Sequence, residues 1–516
     1  MSAFEIVHQD RVVGKLTCFD RLIFKGYLTR LYQPGGMKGF LDSQHVLLKD
    51  FASYVTTMSG QVKAHAKAMA EAAGRPYLYL ADTRTRRTGR SKEELARQIA
   101  ERDGITAGLV CVLAAVELCT SFDIFKNRQT HRLEVVRRGR KCLHYYFYFF
   151  HEDLGFCHVR LQGWFPFEIQ VWANGREVLS RQLCARKVPH LRYLNAIVKC
   201  ANWGLAQRLS DKLAARKWHR VLSSLAACVS PHLALFNRAG VGPYWWVVDQ
   251  AEVATDVVFS SRRALEAVLP SLTAHAATAF GAEDVLRFLG RKLHPALAVE
   301  VTSDARRRPE GWRVKHTMAR NSIKCYDKAN VLRVEVTVND PTQFRVLRII
   351  EGQRVWRPMR KGVANLPRYF QVGRAANERY LDALTTAFDN RHGTAVLDRH
   401  TRPIKNRGRH VPRLNPIGTE DLCLFRAVLA GEHAIAGFRN HHITRRLYPT
   451  PPKDAADKLR RCQRTSRSIA KLRGHGLVAK IPRTRRYRVT RYGQRMMSAA
   501  IALHDREFPA AYAAAA

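Results

Sequence analysis

The tightest constraint on the fold lies near the C-terminus, where three helical periods and two short strands follow one another between residues 419 and 490. Thr419 can cap the first helix, with Glu420 and Asp421 in its favourable first turn. Leu422, Phe425, Val428 and Leu429 recur at three-to-four spacing, and Gly431 ends the period. A second helix is predicted over 442–448, closed by Pro449, Pro451 and Pro452. The third, 454–475, carries a seam of Leu459, Cys462, Ser466, Ile469 and Leu472. Its other face carries Arg460, Arg464, Arg467 and Lys471, with Gln463 beside them. Gly476 is a good C-cap. Residues 477–481 and 487–490 read as strands around a turn bearing Arg483, Arg485 and Arg486.

Helix, helix, basic helix and basic hairpin is the order of a winged helix-turn-helix. A helix fits the major groove, where Arg and Gln read base edges, and a cationic hairpin tip reaches phosphate. From 401 to 516 there are 25 Lys and Arg against 7 Asp and Glu, a net of +18. The run Ser468-Ile-Ala-Lys-Leu-Arg-Gly-His-Gly-Leu-Val478, followed by Tyr487-Arg-Val-Thr-Arg-Tyr-Gly493, resembles the winged helix of MarR-type bacterial transcription regulators. The resemblance covers about a fifth of the chain. More loosely, the whole chain resembles bacterial proteins that end in a winged helix.

The remainder is equally basic. The 516 residues carry a formal net charge of +44 at 46% hydrophobic content, so this is a globular chain of several domains that tolerates strong self-repulsion. A polyanionic partner is the simplest reason for it, and no apolar run near 20 residues suggests a membrane. Eleven cysteines are scattered without a Cys-x-x-Cys pair, and no signal peptide precedes them. Reduced thiols in the cytoplasm, close to the nucleoid, are therefore expected, and the spacing offers no structural zinc pattern.

Along the chain, residues 1–185 read as an N-terminal α/β domain. Arg84, Arg86, Arg87 and Arg90 form a loop after a short strand, suited to gripping phosphate. Ser91 and Glu94 make a capping box. Four strands follow between 131 and 173, dense in aromatics, with Arg160, Gln162, Trp164 and Gln170 available as a platform for stacked bases. Asn174-Gly175 reads as a hairpin turn. Residues 186–400 read as a central domain, helical from 189 to 236 and again after 341. Residues 401–415 read as a basic linker, and 416–508 as the winged-helix domain. No internal repeat stands out.

Within the central domain, strands are expected near 296–301, 312–316, 322–326 and 331–339. Alternation puts Leu332, Val334, Val336 and Val338 in a core, and Arg313, Lys315, Lys324, Tyr326, Arg333 and Glu335 on the opposite face. That face suits a phosphodiester. Glu335, with Asp327 or Glu300 at its edge, could hold Mg²⁺. The run Ile323-Lys-Cys-Tyr-Asp-Lys328, with Leu332-Arg-Val-Glu335, is similar to a strand pair in replication initiators of some phages and plasmids. Those proteins nick one DNA strand with a tyrosine and a metal. The resemblance implies that Tyr326, Asp327, Lys328 and Glu335 belong to an active sheet, although the chain lacks the His-apolar-His pair of the better-known nickases.

The sequence therefore predicts an α+β multidomain protein: an N-terminal α/β domain, a central mixed α/β domain with an antiparallel sheet, and a C-terminal winged helix-turn-helix. The expected function is site-specific binding of double-stranded DNA in a mobile or replicating element. Three alternatives stay open: a Mg²⁺-dependent nickase or replication initiator using Tyr326, Asp327 and Glu335, a transcription regulator, and a structured-RNA-binding or RNA-guided protein. Nothing in the sequence sets an oligomeric state.

Overall fold

An eleven-stranded sheet dominates the computed structural model, which describes residues 3–80, 91–290, 301–308, 311–385, 398–406, 408–433, 437–482 and 484–515. The chain is mixed α/β and divides into two compact units, one built mainly from 1–279 and 300–384, the other mainly from 385–516. The expected boundary at residue 185 falls inside the first unit, because the sheet runs continuously across it.

The large sheet and one short hairpin of the first unit take up thirteen described strands, in chain order β1 (Val12–Tyr27), β2 (Tyr77–Leu80), β3 (Gly108–Lys126), β4 (Leu133–His151), β5 (Gly155–Gln162), β6 (Ile169–Asn174), β7 (His190–Tyr193), β8 (Ala196–Cys200), β9 (Trp245–Phe259), β10 (Val301–Arg308), β11 (Gly311–Met318), β12 (Asn321–Lys328) and β13 (Val331–Val338). The large sheet has the order β10-β11-β12-β13-β9-β1-β6-β5-β4-β3-β2, and β7 and β8 form a separate hairpin. Within the large sheet every pairing is antiparallel except β2 with β3.

This order contains a repeat that the sequence does not announce. A long strand, β1 or β9, leads each half. Helices follow it, then a four-stranded meander, β3–β6 or β10–β13, whose last strand returns to pair with its own leader. The two leaders pair antiparallel with each other at the middle of the sheet. Each carries a buried aspartate followed by a short apolar stretch, near the centre of β1 in Asp20-Arg-Leu-Ile-Phe24 and close to the end of β9 in Asp256-Val-Val-Phe259. A register shift between Phe19 and Leu22 marks a bulge where Asp20 sits.

Several local expectations give way to tertiary context. Asn174-Gly175 does not turn a hairpin. Asn174 caps the helix Gly175–Ala185 by accepting from the Arg176 amide at 2.8 Å. Gly175 is required because a Cβ there would run into the Phe19 carbonyl, so the helix start beds directly on β1. Residues 190–200, expected as helix, form β7 and β8. Residues 345–358 form an exposed hairpin, Arg345–Ile350 with Gln353–Pro358, before the helix Leu366–Leu384. That helix packs on β9 and β13, where Asn377 donates to the Val253 carbonyl at 2.9 Å.

In the second unit, helices Thr419–Val428, Asn440–Leu447 and Ala455–Gly474 precede the paired strands Val478–Lys480 and Tyr487–Val489, and the helices Arg491–Ala502 and Phe508–Ala515 follow. Leu422, Phe425, Val428, Ile443, Ile469, Leu472 and Met497 make one core. The expected linker is folded into this unit. Ile404–Asn406 pairs with Arg409–Val411, Asn406 donates to the Gly474 carbonyl at 2.7 Å, and Leu414 enters the core. Among the described residues no helix is long and apolar enough to cross a membrane.

Candidate functional site

Cross-strand register carries polar side chains along one face of the large sheet. Arg306 faces Arg313, which faces Tyr326, then Arg333, then Asp256. One pleat further, Lys315 faces Lys324, and Lys324 faces Glu335. The same face continues through Thr337, Glu252, Gln250, Ile23, Trp172 and His158, with Gln170 and Arg160 beside the last two. Alternation alone predicts each local segment. Joining 313–335 to 158–172 requires knowing that β9 and β1 lie between them.

At the junction of the two leaders this face holds a buried ionic centre. Arg333 is fully buried. Its Nε and Nη2 donate to the two carboxylate oxygens of Asp256 at 2.7 and 3.0 Å, and its Nη1 donates to Asp20 at 3.1 Å. Arg176, also fully buried, reaches Asp256 with Nη1 at 2.5 Å. A cation in the first turn of a helix opposes the helix dipole, so Arg176 relies on Asp256 and Asp20 for compensation. Asn195, at the β7–β8 turn, donates to both Asp20 oxygens at 2.6 and 2.9 Å and accepts from Lys328 and Arg333. Burial opposes the charge on Asp20, but Arg333, Arg176, Lys324 and Lys328 hold its carboxyl below the usual range.

Beside it stand two further carboxylates. Glu335 is buried, accepts from the Tyr326 hydroxyl at 2.7 Å and pairs with Lys324 at 2.6 Å. Glu252 is buried and more weakly served, with Thr337 at 3.3 Å and Arg21 at 3.9 Å. Burial, followed by repulsion from Glu335, pushes Glu252 up to about 7. Oxygens of Asp20, Glu252 and Glu335 lie within 4.8 Å of one another. A polar cavity of about 380 Å³ reaches Asp20, Glu252, Lys328 and Asn195 from outside, with Arg97 and Arg192 on its walls.

The expected site residues are distributed unevenly. Tyr326, Lys324, Arg333 and Glu335 meet in this centre, and Arg313 and Lys315 extend the face as partly exposed side chains. Asp327 does not join them. It points to the opposite side of β12, is buried, and pairs with Arg262 at 2.6 Å. Arg333 is locked in buried ion pairs and offers no surface to a phosphate. Glu300, Arg483 and the loop arginines Arg84, Arg86, Arg87 and Arg90 lie outside the described residues. Asp20, Glu252, Asp256, Arg176 and Asn195 were not anticipated. An aspartate set among apolar neighbours in each of two strands, Asp20 and Asp256, was the available signal, since an unpaired buried charge is too costly to keep.

In the second unit, the first half of Ala455–Gly474 is exposed on nearly every side. Leu459, Arg460, Cys462, Gln463, Arg464, Ser466 and Arg467 all face solvent, and only Asp457 and Thr465 are buried. The expected apolar seam therefore holds only from Ile469 onward. Arg460 pairs with Asp457 at 3.2 Å and Arg464 with exposed Glu420 at 3.0 Å. Lys471 is half-buried and holds the buried Asp421 at 2.9 Å. Arg485 is exposed at the hairpin tip, and Arg486 is half-buried beside it.

No known protein family, curated protein or solved structure matches this chain.

Proposed function

We propose that this protein binds DNA, docking a duplex through its second unit as a winged helix while the basic face of the large sheet engages flanking or separated strand. The observation that carries this reading is the half-helix 459–467, which presents Arg460, Gln463, Arg464 and Arg467 to solvent in the same unit as a hairpin bearing Arg485 and Arg486. An apolar core would normally cover such a helix all along one side. Its exposure suits insertion into a major groove. The MarR-type resemblance and the net charge of +44 support the same reading. The test is protection sequencing of DNA crosslinked to the full chain, followed by titration of the site found. One dominant duplex site supports it. Preference for structured RNA at physiological salt overturns it.

The centre on the sheet favours a second reading, metal-dependent nicking of one strand. Carboxylate oxygens suit Mg²⁺, and Asp20, Glu252 and Glu335 come close enough to share one cation. Four carboxylates there (Asp20, Asp256, Glu252 and Glu335) already face four cations (Arg176, Arg333, Lys324 and Lys328), so an added cation must displace Lys324 or the Asn195 amide. A bound Mg²⁺ would polarise a phosphodiester oxygen. Glu335 is placed to accept the Tyr326 proton, and Lys324 and Lys315 to hold a phosphate. In this reading Asp327 has no part. Nicking that survives Tyr326→Phe combined with Glu335→Gln refutes it, as does Mg²⁺ binding by calorimetry that is unchanged in Glu252→Gln.

A further inference from the structure

Two cysteines that share no motif in the sequence meet in space. β3 and β4 pair so that Glu117 faces Cys142 and Cys119 faces Arg140. The diagonal between them brings the two Sγ atoms to 2.9 Å. His144, two residues along β4, shares the face of Cys142 and places Nδ1 3.9 Å from its sulfur. The three atoms lie within 4.8 Å of one another.

We propose that Cys119, Cys142 and His144 bind a zinc ion. Two thiolates and an imidazole are the donor set that zinc prefers among divalent ions, with a fourth position left for water or another ligand. Zn²⁺ replaces two thiol protons, so the complex is electrically neutral and does not repel the nearby Arg160. Sulfurs on one tetrahedral zinc sit roughly 3.7 Å apart, from Zn–S bonds of about 2.3 Å. The sulfurs must therefore part from their present hydrogen-bonded distance, which rotation of the half-buried Cys119 side chain allows. Nδ1 now lies 3.2 Å from the Cys142 carbonyl, and ligation requires the tautomer protonated on Nε2. Glu117 does not complete the set, because it accepts from Lys92 and from the Tyr146 hydroxyl.

The position gives the ion a purpose. β5 covers β4 only as far as His144, and β2 covers β3 only from Val112 to Ala115. Beyond that point β3 and β4 continue to Lys126 and Leu133 as a ribbon that pairs with no further described strand; Leu118 is 74% exposed, while Phe122 is buried and Ser121 donates to the Phe165 carbonyl at 2.8 Å. A ribbon with two unpaired edges gains from a tie across its strands. The three ligands sit at the root of the ribbon and tie its strands together.

The test uses the full chain purified under reducing conditions and analysed for metal by plasma mass spectrometry. Near one zinc per chain is expected, lost in both Cys119→Ser and Cys142→Ser and retained in Cys184→Ser and Cys423→Ser, which alter exposed cysteines elsewhere. Cobalt in place of zinc is expected to give a thiolate charge-transfer band, absent from Cys119→Ser and from Cys142→Ser. Should the variants misfold, a mercurial thiol reagent on the unaltered chain is expected to release zinc to a chromogenic chelator in step with two modified thiols. Absence of metal from the reduced chain overturns the proposal. So does a Cys119–Cys142 disulfide found in a metal-free chain, or metal content indifferent to both substitutions.

Discussion

Arg333→Met is the sharpest probe of the ionic centre. The side chain is fully buried and donates five hydrogen bonds: two to Asp256, one to Asp20, and two to the Asn195 side chain and carbonyl. Methionine fills much of the volume but supplies no charge. Asp256 keeps Arg176, while Asp20 keeps Asn195 and the more distant Arg176 at 4.0 Å and loses its nearest cation. Removing one partner from a buried ion pair costs about 3–5 kcal/mol, mostly as the desolvation of the charge left behind. Five charge-assisted hydrogen bonds added singly would exceed that several-fold, but members of one network are not additive. We therefore expect a loss of about 3–5 kcal/mol.

All eight tryptophans lie in the first unit, so fluorescence during denaturant unfolding follows that unit alone. Asp256→Leu should cost a similar amount, because it strands Arg176 and Arg333 together. The double variant should cost at least about 2 kcal/mol less than the sum, since neither charge then remains without its partner. A single-variant loss below about 1 kcal/mol, or strictly additive costs, would show that water reaches this centre and that its ion pairs are replaceable.

Glu252 predicts a pH dependence of definite sign. Its folded pKa lies near 7 against about 4.5 unfolded, so the folded chain binds the extra proton between those values. This group's contribution to stability is fully present below about pH 4.5 and is lost as pH rises through about 7, a change on the order of 3 kcal/mol. Subtracting the profile of Glu252→Gln from that of the unaltered chain should isolate it, and a flat difference refutes it. In the second unit, Lys471→Ala should lower stability by about 1–3 kcal/mol by stranding buried Asp421, whatever DNA is present. Arg467→Ala should leave stability within about 0.5 kcal/mol and weaken site binding by about 1–3 kcal/mol. Equal loss on random DNA would reduce Arg467 to a phosphate contact. Gly175→Ala should cost about 1–3 kcal/mol, because its Cβ meets the Phe19 carbonyl, and thermal unfolding without change would contradict that approach.

What could be read from the sequence follows the range of the interactions. Strand alternation in 322–339 put Lys324, Tyr326, Arg333 and Glu335 on one face, because a pleat is a two-residue property. It also put Asp327 on the other face, a consequence that the grouping with Tyr326 overlooked. Helix periodicity found the third helix of the second unit. It misjudged the first half of that helix, since a periodic apolar residue such as Leu459 is buried only if a neighbour arrives to cover it. Asn174-Gly175 fits a turn and a helix cap equally well by local chemistry, and the proximity of Phe19 decided between them. The Cys119–Cys142 diagonal and the meeting of Asp20 with Asp256 depend on register across 23 and more than 230 residues, which no local pattern encodes.

The repeat explains why the ionic centre lies where it does. Two halves that each end in an exposed leading strand must join edge to edge, and a bare strand edge is also a template for wrong partners. An aspartate inside each leader makes a slipped pairing costly. A one-residue shift would turn Asp20 or Asp256 into an apolar layer, away from Arg333 and Arg176. Arg333 comes from the closing strand of the second half, and Arg176 follows directly on the closing strand of the first. Each half thus contributes one acid and one base to a network satisfied in a single register. The same device leaves Asp20, Glu252 and Lys328 lining a water-accessible hollow, with Glu335, Tyr326 and Lys324 packed behind it. A stability element of this kind is a ready start for phosphodiester chemistry, because its groups are already held in place before any substrate arrives.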